Sequence, residues 1–181
     1  MRIEPSDADR GVQQAPPGCL FIVATPIGNL ADITLRALDV LRRVDVIACE
    51  DTRVTAKLLS AYKIAARTVP YHDRNAARAR PRLIQRLQSG ESVALVSDAG
   101  TPLLSDPGFK LVRAAIAAGV PVSSLPGPTA AVAALTVSGL PTGRFLFTGF
   151  LPPGAVKRRK VLQELAGVRA TLIFYESPRR L

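Results

Sequence analysis

Residues 92–108, SVALVSDAGTPLLSDPG, join a short apolar run to a long polar loop. The run Ser92–Val96 predicts a buried strand, because a continuous apolar segment of this length beside turn residues is typical of a strand covered on both faces. The next twelve residues contain Thr and two each of Asp, Gly, Pro and Ser. This composition is too specialised for a simple connection. Because glycine has no side chain, the backbone around Ala99–Gly100 can approach a ligand closely. The stretch therefore predicts a ligand-binding loop at the end of a strand.

Strand and helix patterns alternate on both sides of this segment. Predicted strands cover residues 20–25, 44–49, 67–71, 92–96 and 120–125, and helices are predicted after them, at about 33–41, 52–61, 81–90, 107–119 and 129–138. We expect Asp32 and Thr129 to cap two of these helices, and Pro81 to lie in the first turn of another. The alternation predicts an α/β fold with a largely parallel sheet.

The chain divides at residues 139–143, GLPTG, which have the composition of a linker. A second unit follows, with strands predicted at 144–150 and 170–175, a helix at 156–166, and another helix opening at Ser177-Pro178. This unit of about forty residues is too small to bury a core of its own. We expect it to continue beyond this sequence or to pack on the first domain. The predicted organisation is a disordered leader (1–17), an N-terminal α/β domain (18–140) and the start of a second, incomplete α/β domain (141–181).

Composition excludes several classes of protein. Of 181 residues, 48% are hydrophobic, which is too many for a disordered basic chain. No apolar run approaches the roughly 18 residues that a membrane helix needs, and the first residues lack the apolar region of a signal peptide. A cytoplasmic protein is the expectation. One His and two distant Cys do not form the ligand pattern of a metal site, so none is predicted. The Gly-rich dinucleotide loop, the P-loop and the GxSxG elbow are all absent.

The chain is strongly basic, and its charge is uneven. The net charge is +10, and the excess of Lys and Arg lies after residue 60. Arg78, Arg82 and Arg86 would share one face of a helix that began early, and Lys157, Arg158, Arg159 and Lys160 form a continuous block. These clusters predict contacts with a polyanion, nucleic acid first. The alternative is a set of solvated surface charges.

Three further loops follow predicted strands, where open α/β sheets bind ligands. They are residues 25–30 (TPIGNL), 49–53 (CEDTR) and 126–131 (PGPTAA). Glu50 and Asp51 are unusual because strands disfavour adjacent carboxylates. A structural interpretation is also open, in which Asp51 caps the next helix and Glu50 pairs with Arg53. The two interpretations are compatible.

Taken together and in this order, the segments ATPIGNLADITLRAL, CEDTRVTAKLL, VSDAGTPLLSDPG, LPGPTAAVAAL, GFLPP and TLIFYESPRRL resemble the tetrapyrrole methylase superfamily, and most closely its ribosomal RNA branch. The likeness runs from about Gly18 to Leu181. It implies two α/β domains of a non-Rossmann methyltransferase, with S-adenosylmethionine in the cleft between them, and a homodimer. It also implies methylation of the 2'-oxygen of a cytidine in 16S rRNA of the small ribosomal subunit. The segment His72–Ala76 departs from the family pattern by losing one His and a Glu.

The resemblance also implies which residues bind the methyl donor. They are, by matching motifs, Pro26, Asp98, Ala99, Gly100, Thr101, Thr129, Ala130, Phe150, Leu151, Tyr175 and Glu176. A ribose hydroxyl is a weak nucleophile, and a nearby carboxylate can remove its proton. Asp51 and Glu50 are the candidate catalytic residues, and the resemblance itself names no general base. Two alternatives stay open: a methylase of a small tetrapyrrole or corrinoid, and a non-catalytic RNA-binding relative.

Overall fold

A computed structural model of the chain describes residues 17–177 and residue 180. Five strands form one parallel sheet: β1 (Leu20–Val23), β2 (Val46–Cys49), β3 (Thr68–Pro70), β4 (Val93–Val96) and β5 (Val122–Leu125), in the order β3-β2-β4-β1-β5. Between and after them lie α1 (Leu35–Arg43), α2 (Thr52–Ala61), α3 (Ala76–Gln88), α4 (Phe109–Ala117) and α5 (Ala130–Val137). The α/β fold with a parallel sheet, predicted from the sequence, is confirmed.

Hydrophobic cores lie on both faces of this sheet, which explains why its three inner strands β1, β2 and β4 are apolar and buried throughout. In β1, Phe21 and Val23 pack with α1 and α2, whereas Leu20 and Ile22 pack with α3 and α4. The central strand β4 alternates in the same way. Successive side chains of a strand point to opposite faces. The helices therefore divide into two layers, α1 and α2 on one face and α3 and α4 on the other.

A second, two-stranded parallel sheet follows, made of β6 (Phe145–Phe150) and β7 (Thr171–Tyr175), with α6 (Ala155–Leu165) between them. The pairing of β6 with β7 is irregular between Phe147 and Phe150. The small sheet contacts α5 of the first unit through β7. No residue of α6 is fully buried, as expected for a unit that has no complete core of its own.

Two predicted helix starts are corrected by the structure. Asp32 does not cap α1: it ends a short 3-10 helix (Leu30–Asp32), and Thr34 Oγ1 accepts the N–H of Ala37 at 3.1 Å instead. Pro81 is not in a first turn, because α3 begins at Ala76 and contains it. Ala76 and Ala79 pack on the core beside Leu83 and Leu87, which favours the longer helix.

Thr129 does occupy the N-cap position of α5, but its side chain makes no capping hydrogen bond. The Tyr175 hydroxyl accepts the N–H of Ala131 at 3.2 Å. A residue of the second sheet therefore satisfies this N–H of the first helical turn. Residues 1–16 of the predicted leader, and Pro178 of the last predicted helix, lie outside the described residues.

Candidate functional site

Strands β1 and β4 lie side by side, yet the helices that follow them pack on opposite faces of the sheet. Their loops diverge at the carboxyl edge of the sheet, and a crevice at such a point is where open α/β sheets bind ligands. Thr25 and Gly100 join the two loops by a pair of backbone hydrogen bonds of 2.9 and 3.0 Å. The Ser97 hydroxyl donates to the Gly100 carbonyl at 3.0 Å and closes the turn.

A cavity of about 230 Å³ opens beside this bridge. It is lined by Ile27, Ala99, Gly100, Thr101, Leu104, Ser105, Asp106, Ala130, Phe150 and Tyr175. Its wall mixes apolar and aromatic side chains with hydroxyls, a composition typical of sites for small organic ligands. The lining comes from loops of the first sheet, from the start of α5 and from the second sheet. The site thus joins five segments that are separated in the sequence, at residues 27, 99–106, 130, 150 and 175.

Gly100 has a backbone φ of +85°, a conformation that residues with a side chain rarely adopt. A Cβ at this position would lie 3.3 Å from Ile27 Cγ2, another lining atom. Thr101 Oγ1 donates to the Pro128 carbonyl at 3.0 Å and fixes the loop against the turn before α5. The turn at residues 99–101 is therefore held in place by its bonds to the loop after β1 and to the turn before α5.

The aromatic wall belongs to the second sheet. The Tyr175 ring packs edge-on against Phe147 and Phe150, with centroids 4.7 and 5.6 Å away. Because its hydroxyl also bonds to Ala131, Tyr175 is held from both sides. This arrangement orients the rings of Tyr175 and Phe150 at the cavity.

Of the donor-binding residues predicted from the sequence, six line the cavity: Ala99, Gly100, Thr101, Ala130, Phe150 and Tyr175. Pro26, Asp98 and Thr129 are chain neighbours of lining residues. Leu151 and Glu176 are also chain neighbours of lining residues, and both contact Arg180. Glu176 forms an ion pair with Arg180 at 3.1 Å, and the Leu151 carbonyl accepts from the same guanidinium.

Four lining residues were not among the individual candidates: Ile27, Leu104, Ser105 and Asp106. Ser105 and Asp106 belong to the twelve-residue loop that the sequence singled out. Leu103 and Ser105 have φ values of +75° and +64°. Such backbone strain in residues with side chains is found at ligand sites, but nothing in the local sequence signals it.

Asp51 is engaged in local structure. Its carboxylate accepts the N–H of Arg53 at 2.8 Å, caps α2 and pairs with the Arg53 guanidinium. Those hydrogen bonds lower the pKa of Asp51 to about 2. The predicted pairing of Glu50 with Arg53 is wrong, because Asp51 takes that partner. Asp98 Oδ1 also accepts the Asp51 N–H at 3.0 Å and ties the ends of β2 and β4 together.

Glu50 is the second candidate catalytic carboxylate, and its pKa differs from that of Asp51. Partial burial raises its pKa, and the negative charges of Asp106, Asp98, Asp73 and Asp51 raise it further. Burial also raises the pKa of Asp106, and the charge of Asp98 adds to that, whereas a hydrogen bond with Ser97 opposes it. Glu50 is therefore a better proton acceptor than an ordinary glutamate at the same carboxyl edge of the sheet.

The predicted basic clusters differ in whether their side chains form ion pairs. Arg78 and Arg82 are exposed on α3, whereas Arg86 is bound to Glu91. Lys157, Arg158, Arg159 and Lys160 occupy one turn of α6, and none of the four forms an ion pair among the described residues. The α6 block and the start of α3 thus carry unpaired positive charge.

Residues 19–181 match the family model of Tetrapyrrole (Corrin/Porphyrin) Methylases. The chain belongs to this family. Its 163 matched residues include both sheets and every residue that lines the cavity.

Curated relatives show which branch of the tetrapyrrole methylase family this chain resembles. The chain is 60% identical over 162 residues to the "Ribosomal RNA small subunit methyltransferase I" of Mesorhizobium japonicum, covering 90% of this chain and 55% of that protein. It is 53% identical over 169 residues to the protein of the same name from Halalkalibacterium halodurans, covering 93% and 58%. These values place it in the ribosomal RNA branch of the family. The chain spans little more than half the length of these relatives.

Solved structures agree on the fold. A uroporphyrin-III-C-methyltransferase from Thermus thermophilus matches with a TM-score of 0.58 and 28% identity, over 75% of this chain and 61% of that one. A diphthine synthase matches with a TM-score of 0.69 over 88% and 65%, and at 20% identity it supports the fold alone. Among the described residues, no helix is long and apolar enough to cross a bilayer.

Proposed function

We propose that this chain carries the methyl-donor site of an S-adenosylmethionine-dependent enzyme that methylates the 2'-oxygen of a cytidine ribose in 16S rRNA. The observation that carries the proposal is the cavity between the loops after β1 and β4 and the second sheet, in a chain whose relatives bear the name of small-subunit rRNA methyltransferases. The same proposal includes two domains, 18–140 and 141–181, a homodimer, and a cytoplasmic location beside the small ribosomal subunit.

The residues present fit S-adenosylmethionine. The turn at Ala99–Thr101 lines the cavity without a side chain at Gly100, whose own N–H and carbonyl bond to Thr25. A Cβ on Gly100 would crowd this space. Phe150 and Tyr175 offer aromatic surface for an adenine ring. In this proposal these residues, with Ala130, hold the donor. When bound, S-adenosylmethionine supplies an electrophilic methyl group on a positively charged sulfur.

The protein must then activate a ribose hydroxyl, which is a poor nucleophile while it keeps its proton. Glu50 and Asp51 are the candidates that the sequence provides. Asp51 already accepts from Arg53 and has a pKa near 2, so it is a weak base. Glu50 has a raised pKa. We therefore assign proton acceptance to Glu50, and to Asp51 the role of fixing the start of α2.

Methyl transfer from tritiated donor to small ribosomal subunits tests this function. The subunits should come from a strain without the enzyme, and the protein should contain this chain and have the length of its relatives. We expect incorporation into 16S rRNA at a cytidine ribose. Glu50→Gln should lower kcat with little change in the donor Kd, and Asp51→Asn should retain most activity, because asparagine also caps helices.

Two results would replace the proposal with its alternatives. Methylation of a tetrapyrrole or corrinoid, and not of rRNA, would establish a small-molecule methylase. Binding of rRNA without any binding of donor in calorimetric titration would establish a non-catalytic relative.

A further inference from the structure

A second cavity of about 230 Å³ lies next to the first, between the starts of α3 and α4. The charged and aromatic residues that line it are Tyr71, Asp73, Arg80, Asp106, Phe109 and Lys110. Asp106 lines both cavities. The two cavities therefore lie on either side of one loop. The roles proposed above for the donor-site residues and for Glu50 give the second cavity no function.

The cations of this cavity are placed to meet an anion. Lys110 is exposed, and none of the ion pairs among the described residues includes Lys110 or Arg80. Arg80 lies beside the buried hydroxyl of Tyr71, whose pKa burial raises and Arg80 partly lowers. Because α3 and α4 both begin at the cavity, their dipoles add a smaller positive contribution.

The lining also contains two carboxylates, those of Asp73 and Asp106. Asp106 lies near Ser97 and Asp98, which act on its pKa and follow β4 directly. Asp73 is exposed at the rim. An exposed carboxylate beside cations suits the exocyclic amino group of a base, as aspartate accepts from the amino group of cytosine.

Phe109 gives the rim an aromatic surface. Its side chain is 61% exposed, although it is the first residue of a helix whose other apolar face is buried. The Arg113 guanidinium lies 5.7 Å from the ring centroid. Exposed aromatic rings beside arginines are platforms on which single-stranded nucleic acid stacks its bases.

We propose that this second cavity binds one nucleotide of single-stranded rRNA that neighbours the methylated nucleotide, with a phosphate between Arg80 and Lys110 and its base on Phe109. The inference deepens the proposed function and rests on it. The shared wall at Asp106 supports adjacency, because a strand that occupies this cavity passes directly to the donor cavity. Arg78 and Arg82, which precede and follow Arg80 on α3, add exposed positive charge to the same helix.

Fluorescence anisotropy with a labelled single-stranded fragment of small-subunit rRNA tests the assignment, in a protein that contains this chain at the length of its relatives. Phe109→Ala should weaken RNA binding by about five- to 150-fold, the cost of losing one stacked base. Lys110→Gln and Arg80→Gln should each flatten the dependence of log Kd on log salt by about 0.7. Phe109→Ala should leave that slope unchanged.

Matched controls come from the same surface types. Ile116→Ala removes another exposed apolar side chain of α4, 63% exposed and away from the cavity. Lys57→Gln removes an exposed charge on α2, at the opposite face of the sheet. Both controls should bind RNA as the unchanged protein does, and all five variants should keep its affinity for S-adenosylmethionine.

The outcomes separate this inference from the function on which it rests. If the unchanged protein binds no rRNA, both fall together. If it binds rRNA and the three cavity variants bind equally well with equal salt slopes, the proposed function stands and the cavity assignment is overturned. If cytidine monophosphate alone binds as tightly as the fragment, the cavity serves a free nucleotide, and the assignment to rRNA is overturned as well.

Discussion

Gly149 of β6 lies so close to Ser105 that a Cβ on it would be 2.5 Å from the Ser105 hydroxyl oxygen. Gly149 has a φ of +70° and occupies the irregular part of the β6–β7 pairing. The bulge and the missing side chain together let the second sheet approach the loop after β4. Since both of these regions line the donor cavity, this contact sets the width of the cavity.

Replacing Gly149 should therefore open the donor site. In Gly149→Ala, the added methyl group would collide with Ser105, and the left-handed backbone would cost about 1–2 kcal/mol. We expect a lower Tm and a donor affinity reduced by at least tenfold. Calorimetric titration with S-adenosylmethionine and thermal unfolding measure the two effects. Gly167→Ala is the control, because a Cβ there meets nothing within 4 Å.

A second substitution separates collision from backbone strain. Ser105 itself has a φ of +64°, so Ser105→Gly both removes the colliding hydroxyl and relaxes its own backbone. The double variant should recover donor affinity while keeping part of the loss in Tm. If affinity stays low in the double variant, the collision is not the cause.

Gly100 offers the corresponding test on the other wall of the cavity. Gly100→Val puts a branched side chain 3.3 Å or less from Ile27 Cγ2, on a backbone at φ +85°. We expect donor binding to be abolished, with a loss of stability of about 1–2 kcal/mol from the strained backbone. Gly90→Val is a close control, because Gly90 has a φ of +93° and open space around it. Equal donor affinity in the two variants would show that the Gly100 turn is not part of the donor site.

The local sequence was sufficient to predict the elements whose conformation depends mainly on residues close by in the chain. Helix α2 spans Thr52–Ala61 as predicted, because Asp51 caps it and Leu58 and Leu59 bury one face. The face shared by Arg78 and Arg82 also follows from periodicity once α3 begins at Ala76. For the candidate site, the composition of residues 97–108 was enough to locate the loop that lines the cavity.

Local signals failed where tertiary contacts decide. Proline inside a helix costs about 3 kcal/mol, so Pro81 argued for a start at that residue, but packing of Ala76 and Ala79 on the core extends the helix before it. The approach of Gly149 to Ser105 joins residues 44 positions apart. No local pattern contains such a contact, and the second cavity depends on the packing of α3 against α4 for the same reason.

The raised pKa of Glu50 predicts how stability depends on pH. The folded state favours the protonated carboxyl, so ionisation of Glu50 opposes folding. This cost is absent below the unfolded pKa of 4.5, and it grows as pH rises through the folded pKa. Glu50→Gln should therefore raise Tm at pH 7 and leave it nearly unchanged at pH 4.

Asp51 should behave in the opposite way and serves as the comparison for Glu50. Its pKa is lowered to about 2, so its contribution is present above the unfolded value of about 3.8 and is lost as pH falls through 2. Asp51→Ala should lower Tm at pH 7, and the difference should shrink toward pH 2. If Glu50→Gln and Asp51→Ala shift Tm in the same direction at pH 7, the assignment of these two environments is wrong.

The block Lys157–Lys160 on α6 should bind phosphates of the RNA. Its side chains follow the turn after Phe150, a residue of the donor cavity, and they have no acidic partner among the described residues. Each phosphate contact releases counterions, so affinity falls with salt by a slope of about 0.7 to 0.9 per contact. Changing all four residues to Ala should lower rRNA affinity and flatten the slope by about two to four. Donor affinity should hardly change, because none of the four lines the cavity.

RNA binding of both proteins, measured from low to moderate salt, tests this prediction. A slope equal to that of the unchanged protein would show that the block is solvated, and the phosphate contacts would then belong to the segment from Arg74 to Arg86.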